Sequence, residues 1–156
     1  MICNATPLIC LAKINQIDIL KMLFHEIIIP KAVEDEVVVE GKPGYAIIKK
    51  AIENGWIKIL NPKNNLDLEL GKGENSAINL AREKKDSLIL DDAFAIRVAT
   101  SFNIPFFRTT SIILLALRKK IINKNQAISH VQELIKIGYY LSPEVYMEIL
   151  NIINSF

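Results

Sequence analysis

The chain has few cysteines, few histidines and no long apolar run. Its 156 residues include two cysteines and two histidines, and they form no Cys-x-x-Cys or Cys/His cluster of the kind that binds zinc. The longest apolar run, residues 112–117, is far shorter than the roughly 18 residues of a membrane span. The formal net charge of +2 is too small to indicate a nucleic-acid partner by itself. These absences exclude a zinc module and a membrane-spanning segment.

The two cysteines flank the first turn of the chain, where an extended segment leads into a helix. We predict that Cys3 and Cys10 are small apolar core residues, because this arrangement places them on different faces and disfavours a disulfide. The N-terminal segment has no basic region, and Pro7 and several polar residues interrupt its apolar stretch. We therefore expect no signal peptide and a cytoplasmic location.

The composition predicts one folded domain over residues 1–156. Apolar residues make up 51% of the chain and charged residues 23%, which is unlike the composition of disordered chains. The mean hydropathy of +0.25 is high for a soluble protein. Either a central sheet is covered on both faces, or an apolar surface is left for a partner.

Short apolar runs alternate with amphipathic segments of helix length, which favours an α/β fold with a mainly parallel sheet. The predicted strands span residues 1–3, 26–29, 56–60, 87–90 and 105–107. The predicted helices include one opened by Pro7 and segments 17–24, 31–40, 45–53, 74–85, 93–102, 111–120, 126–137 and 143–154. The polar stretch 61–72 is predicted to be a loop, because the alternation resumes unchanged after it.

Polar residues follow the predicted strands, at the edge where parallel sheets place their ligand sites. Asn4 and Thr6 come after the first strand, and Asp91 and Asp92 come directly after the apolar residues 88–90. A capping role in the next helix would account for one of the two aspartates. We therefore predict a functional role for at least one of them.

Two glutamates lie on or beside the apolar faces of their predicted helices. Glu74 precedes the apolar pair 77–78 by three and four residues, and Glu36 follows Val33 by three. Interaction with the helix dipole is an alternative explanation for Glu74. Acids that converge from separate elements repel one another unless a cation such as Mg²⁺ or Mn²⁺ neutralises them. This pattern predicts metal-assisted hydrolysis of a phosphodiester, whereas no histidine lies in a motif that would activate a nucleophile.

Four motifs follow one another along the chain. They are the motif Asn-Ala-Thr-Pro-Leu-Ile with the apolar residues after it, the Ile-Ile-Pro segment with Glu36, the Gly-Glu pair at 73–74 with its alanines, and Leu-Ile-Leu-Asp-Asp with Arg97. In this order they resemble the PIN-domain family. The chain is most similar to the small prokaryotic branch that begins Asn-Ser/Ala-Ser/Thr-Pro-Leu-Ile. The resemblance covers residues 1–117.

The resemblance implies a three-layer α/β/α sandwich with a five-stranded, mainly parallel sheet, on which C-terminal helices over about 111–156 pack. It implies an Mg²⁺- or Mn²⁺-dependent endoribonuclease site with catalytic and metal-binding acids, namely Glu36, Glu74, Asp91 and Asp92, joined by Asn4. It assigns supporting roles to Thr6, Arg97 and Thr109. Its relatives include toxins of the virulence-associated protein C type, which implies an RNA substrate, a small antitoxin partner and a homodimer.

Two features depart from the family pattern. Asn4 stands where most active members have aspartate, and Arg108 and Ser111 stand where the branch tends to have glycine. Asn4 keeps a second hypothesis open, namely a PIN-fold binding module with a weakened or inactive metal site. A phosphoacceptor receiver domain is disfavoured, because its acidic pair follows the first strand.

Basic residues cluster near the end of the predicted helix 111–120. They are Arg118, Lys119, Lys120 and Lys124. They either contact RNA or form an ordinary solvated face.

Overall fold

Five short parallel strands form the centre of the protein in a computed structural model that describes residues 1–156. They are β1 (Ile2–Cys3), β2 (Ile27–Ile29), β3 (Ile57–Ile59), β4 (Leu88–Ile89) and β5 (Phe106–Phe107). The sheet order is β3-β2-β1-β4-β5, and every neighbouring pair is parallel. The predicted five-stranded parallel sheet is therefore confirmed, with strands somewhat shorter than the apolar runs that indicate them.

Nine helices surround the sheet. They are α1 (Ala5–Lys13), α2 (Asp18–Phe24), α3 (Lys31–Val37), α4 (Tyr45–Glu53), α5 (Lys72–Lys84), α6 (Ala93–Ser101), α7 (Thr109–Arg118), α8 (Lys124–Lys136) and α9 (Pro143–Ser155). None of them is both long enough and apolar enough to cross a membrane.

Several helix boundaries differ from the prediction by two or three residues, and α5, α7 and α8 each begin two residues earlier than predicted. Helix α3 ends at Val37 rather than at residue 40, since consecutive β-branched valines favour extended backbone and Gly41 and Pro43 follow them. Helix α1 begins at Ala5, two residues before Pro7. Pro7 is tolerated there because the first-turn N–H groups have no partner within the helix.

Alternate strand residues face opposite layers, which produces the three-layer sandwich. In β2, Ile27 and Ile29 join the larger core, whereas Ile28 packs against the smaller one. In β4, Leu88 belongs to the smaller core and Ile89 to the larger. The smaller core contains the buried faces of α5 and α6, and the larger core contains those of α1 to α4 and α7 to α9. Both faces of the sheet are covered, which is the first of the two alternatives that the apolar composition leaves open.

The strand order reverses next to β1. From β1 the chain builds β2 and β3 on one side, and it then crosses to build β4 and β5 on the other. Ile2 is in register with Leu88 and Cys3 with Ile89. Asn4 and the residues that follow β4 therefore leave the sheet side by side, at the kind of edge where open α/β sheets bind ligands.

The C-terminal helices share the larger core. Helices α8 and α9 pack on α7 and on each other, and Leu134 and Ile149 are buried in the same cluster as residues from β2. A capping box formed by Asn123 and Gln126 begins α8.

The polar segment 61–71 is fixed to α5 by two asparagines. The side-chain N–H₂ of Asn75 donates to the Leu66 carbonyl at 2.8 Å, and its Oδ1 accepts from the Leu68 N–H at 2.7 Å. Asn79 also donates to the Leu66 carbonyl, at 2.8 Å. These bonds satisfy loop backbone groups that a buried helix face would otherwise leave unpaired. They also hold the start of α5 in place.

Replacing Asn75 by alanine should destabilise the protein. The Leu68 N–H and the Leu66 carbonyl would each lose a partner, so the free energy of unfolding should fall by about 1–3 kcal/mol. Urea unfolding followed by circular dichroism measures this loss. Asn125→Ala, an exposed asparagine of α8, is the control, and an equal effect in both variants would contradict the anchoring role.

Candidate active site

Asp91 is held by three hydrogen bonds at the carboxyl edge of the sheet. Its Oδ1 accepts from the backbone N–H of Thr109 at 3.0 Å and from the hydroxyl of Tyr139 at 2.5 Å. Its Oδ2 accepts from the Thr109 hydroxyl at 2.6 Å. Both oxygens are engaged, so the orientation of this carboxylate is set by the first residue of α7 and by the segment after α8.

Asp92 caps helix α6. Its Oδ1 accepts from the Ala95 N–H at 2.8 Å, which is the usual role of an aspartate at this position. Helix capping therefore accounts for Asp92 but not for Asp91. The cap uses a single oxygen, and Asp92 as a residue is exposed.

Asn4 occupies the N-cap position of α1 without capping it. An N-cap side chain normally accepts from the N–H of the second or third helical residue, and here the third residue is Pro7, which has no N–H. Asn4 is 4% exposed, and its Oδ1 has no hydrogen-bond partner. Such a buried acceptor is costly to leave unpaired, so this oxygen is available to a ligand.

Glu74 lies in the first turn of α5, close to two other acids. Burial raises its pKa, and the charges of Asp92 and Glu36 raise it further. The side chain is partly exposed, so solvent screens part of this repulsion. The raised pKa shows that the carboxylates from α3, α5 and the β4 edge share one electrostatic environment.

Glu36 is exposed but reaches the site through a close helix contact. Residues 33 and 37 of the same helix, α3, are buried, and α3 packs closely on α5. A Cβ atom added to Gly73 would lie 2.3 Å from Oε1 of Glu36. A glycine is therefore needed at 73 for the Glu36 carboxylate to lie against α5.

A cavity of about 520 Å³ opens in front of three of these acids, while Asn4 and Glu36 lie outside its lining. Its lining includes Glu74, Asp91 and Asp92, together with Thr6, Cys10, Lys13, Arg108 and Tyr139. Arg108 donates to the Asp91 carbonyl at 3.4 Å. Acidic groups and two cations thus face the same space. In these side-chain positions, no three His, Cys, Asp or Glu residues are close enough together to hold a metal ion.

Some residues singled out from the sequence lie elsewhere. Arg97 is exposed, and its guanidinium lies 5.6 Å from the ring centre of Phe94 rather than beside a carboxylate. The basic cluster Arg118, Lys119 and Lys120 follows the end of α7, about 15 Å along that helix from Thr109. The structure does not bring these residues to the cavity.

The two cysteines are free, as predicted. Burial, with a smaller contribution from the Asp91 charge, raises the pKa of Cys10 to about 11. The same two causes raise the pKa of Cys3. Both shifts favour the neutral thiol over the thiolate that a nucleophile requires.

Tyr139 and Arg108 are site residues that the sequence pattern does not assign. The contact between Tyr139 and Asp91 joins residues 48 positions apart, which no local spacing predicts. Burial, followed by the Asp91 charge and hydrogen bond, raises the pKa of Tyr139 well above its usual value. Its hydroxyl therefore stays protonated and donates to Asp91.

Comparison with known families gives one match. The model of the family DUF3368, a PIN domain, matches residues 1–155. No curated protein and no solved structure matches the chain.

Replacing Glu74 by glutamine should stabilise the metal-free protein at neutral pH. A raised pKa means that the fold favours the neutral carboxyl, so Glu74 costs stability as the pH rises above the ordinary glutamate value of about 4.3. The melting temperature of Glu74→Gln should exceed that of the parent at about pH 7, and the difference should vanish below that pKa.

Thermal melts in chelator across this pH range measure the effect. Glu53→Gln, an exposed glutamate of α4, should show no such pH-dependent gain. A gain that persists at low pH would contradict the electrostatic origin.

Replacing Gly73 by alanine should be energetically coupled to Glu36. Within a helix, this change normally stabilises by about 0.5–1 kcal/mol, but here the new Cβ displaces the Glu36 carboxylate. The gain should be smaller in the parent than in a Glu36→Ala background, as a double-mutant cycle with urea unfolding measures. Gly71→Ala, whose Cβ would meet only Glu74 at 3.7 Å, should have equal effects in both backgrounds. Additive effects of Gly73→Ala and Glu36→Ala would contradict the contact.

Proposed function

Because the chain belongs to the PIN-domain family DUF3368, we propose that it is a metal-dependent endoribonuclease that hydrolyses RNA phosphodiesters. The observation that carries the proposal is the meeting of Asn4 and Asp91 at the point where the strand order reverses. Helices α3 and α5 add Glu36 and Glu74 to the same edge. Glu74, Asp91 and Asp92 line the cavity at this edge, and we propose that Asn4 and Glu36 complete the ligand set.

The chemistry of the candidate ligands suits a divalent cation, although binding one would require the acids to move closer together than they are here. Every candidate ligand atom is an oxygen, which suits Mg²⁺ or Mn²⁺. One of them, the unpaired buried Oδ1 of Asn4, is used by no protein group. Burial raises the pKa of Glu74, the charges of Asp92 and Glu36 raise it further, and a cation would relieve the repulsion among these charges. The residues that would hold the ion are Asn4, Glu36, Glu74, Asp91 and Asp92. When bound, such an ion lowers the pKa of a water molecule and neutralises charge on the phosphate.

The surrounding residues position these groups. Thr109 and Tyr139 orient Asp91, and the N-cap bond orients Asp92. The raised pKa of Glu74 brings its carboxylate closer to the range in which it accepts a proton from water. Arg108 and Lys13 line the same cavity, where their charges suit a phosphate on either side of the cleaved bond.

The proposal extends to partners. By its resemblance to virulence-associated protein C type toxins, the protein would act in the cytoplasm, form a homodimer and be held inactive by a small antitoxin. Apolar side chains that remain exposed on the last helix and at the C-terminus support such a surface, and they are Val145, Met147, Ile152 and Phe156. Val145, Ile152 and Phe156 are spaced by seven and four residues, which places them on one side of α9, and exposed apolar side chains grouped in this way favour a protein partner.

Replacing Asp91 and Asp92 together by alanine should abolish cleavage. We expect the rate of Mn²⁺-dependent hydrolysis of a fluorescently labelled RNA to fall at least about 100-fold, because the site loses two of its carboxylates. Circular dichroism should show a folded chain. The control is a double variant of two exposed helical acids, Glu53→Ala and Glu148→Ala. Cleavage at the parental rate by the Asp91/Asp92 variant would contradict the proposal.

A second candidate function is a binding module with a weakened metal site. Two observations favour it: both oxygens of Asp91 are already engaged, and Asn4 contributes no charge. Calorimetric titration with Mn²⁺ separates the two functions. Saturable binding in the micromolar range supports the nuclease, and an absence of binding below millimolar concentration supports the module.

A further inference from the structure

Besides Thr109, a second segment of the chain contacts Asp91, namely the turn that ends α8. Gly138 adopts a φ of +97°, and the N–H groups of Gly138 and Tyr139 donate to the carbonyls of Ile135 and Leu134. This pair of bonds is a Schellman motif, which requires a left-handed residue at the position of Gly138. The turn directs the next residue, Tyr139, away from the helix axis and into the cavity.

Tyr139 makes a specific contact there rather than simply filling space. Its ring packs at the margin of the larger core, and its hydroxyl donates to Oδ1 of Asp91 at 2.5 Å. The same oxygen accepts the Thr109 N–H. Thr109, at the start of α7, donates to both carboxylate oxygens of Asp91. The Tyr139 hydroxyl adds a donor from a different part of the chain.

We propose that Tyr139 is a positioning residue that fixes the Asp91 carboxylate and thereby connects the α8–α9 pair to the site. The role of Tyr139 in the reaction rests on the proposed nuclease function, whereas its hydrogen bond to Asp91 does not. Groups that orient a metal ligand contribute to affinity although they never touch the metal. Removal of the hydroxyl should therefore weaken the site while the ring keeps the core packed.

The first test uses the metal-free full chain. In Tyr139→Phe, the Thr109 amide should exchange faster with solvent and the side-chain ¹³C resonance of Asp91 should shift, because the carboxylate loses one of its donors. Both signals are measured by NMR. The matched control is Tyr146→Phe in α9, whose hydroxyl accepts a hydrogen bond from Gln132 and which should leave both signals unchanged. Unchanged signals in Tyr139→Phe would overturn the proposal.

The second test measures affinity for Mn²⁺ alone by calorimetry. Tyr139→Phe should bind about tenfold more weakly than the parent, and Tyr146→Phe should bind equally well. Equal or tighter binding by Tyr139→Phe would overturn the positioning role, since tighter binding would mean that the hydroxyl competes with the ion. If the parent itself binds no Mn²⁺, the nuclease proposal fails and the metal-free NMR result still decides the role of Tyr139.

A pair of glycine variants tests the route through the turn. Gly138→Ala and Gly55→Ala introduce the same kind of backbone strain, since both glycines have positive φ and open space around the new Cβ. Only Gly138 precedes Tyr139. Gly138→Ala should reproduce the Asp91 resonance shift of Tyr139→Phe, and Gly55→Ala should not. A shift in both variants, or in neither, would overturn the proposed route.

Discussion

The reversal of strand order beside β1 is the constraint on which the candidate site depends. The chain leaves β1 in one direction to build β2 and β3, and it returns on the other side to build β4 and β5. Because β1 and β4 are parallel neighbours in register, Asn4 and Asp91 must emerge at the same edge. A cavity opens at this edge, as is usual where the connections of an open α/β sheet diverge. The other features of the site refine this one arrangement.

Local backbone chemistry then determines which atoms are free. Pro7 removes one of the two N–H groups that an N-cap asparagine can use, and Asn4 keeps an unpaired buried oxygen. Gly73 has no Cβ, so the carboxylate of Glu36 can approach α5. Pro7, which has no N–H, and Gly73, which has no Cβ, therefore shape the site together with its acids. Both residues stand inside the motifs that resemble the family, which gives those motifs a physical meaning.

Stability and function oppose each other at this edge. Glu74 carries a raised pKa because burial and two like charges disfavour its ionised form, and a partnerless acceptor lies at Asn4. Elsewhere, the same kinds of group are paired, as where Asn75 satisfies the segment 61–71. Unfavourable electrostatics confined to one cleft is typical of a functional site rather than of a structural ion-pair network. The C-terminal helices reinforce it through Tyr139.

The sequence by itself determined the layer architecture and the acids at the strand ends, because apolar period and strand-end position are local properties of the chain. It also determined that one aspartate would cap a helix, although not that this would be Asp92. Only the tertiary structure decided that Tyr139 reaches Asp91 from 48 residues away, that Arg97 turns to Phe94, and that the basic cluster lies at the far end of α7. Those outcomes depend on how separate helices pack together, and packing of this kind leaves no periodic signal in the sequence.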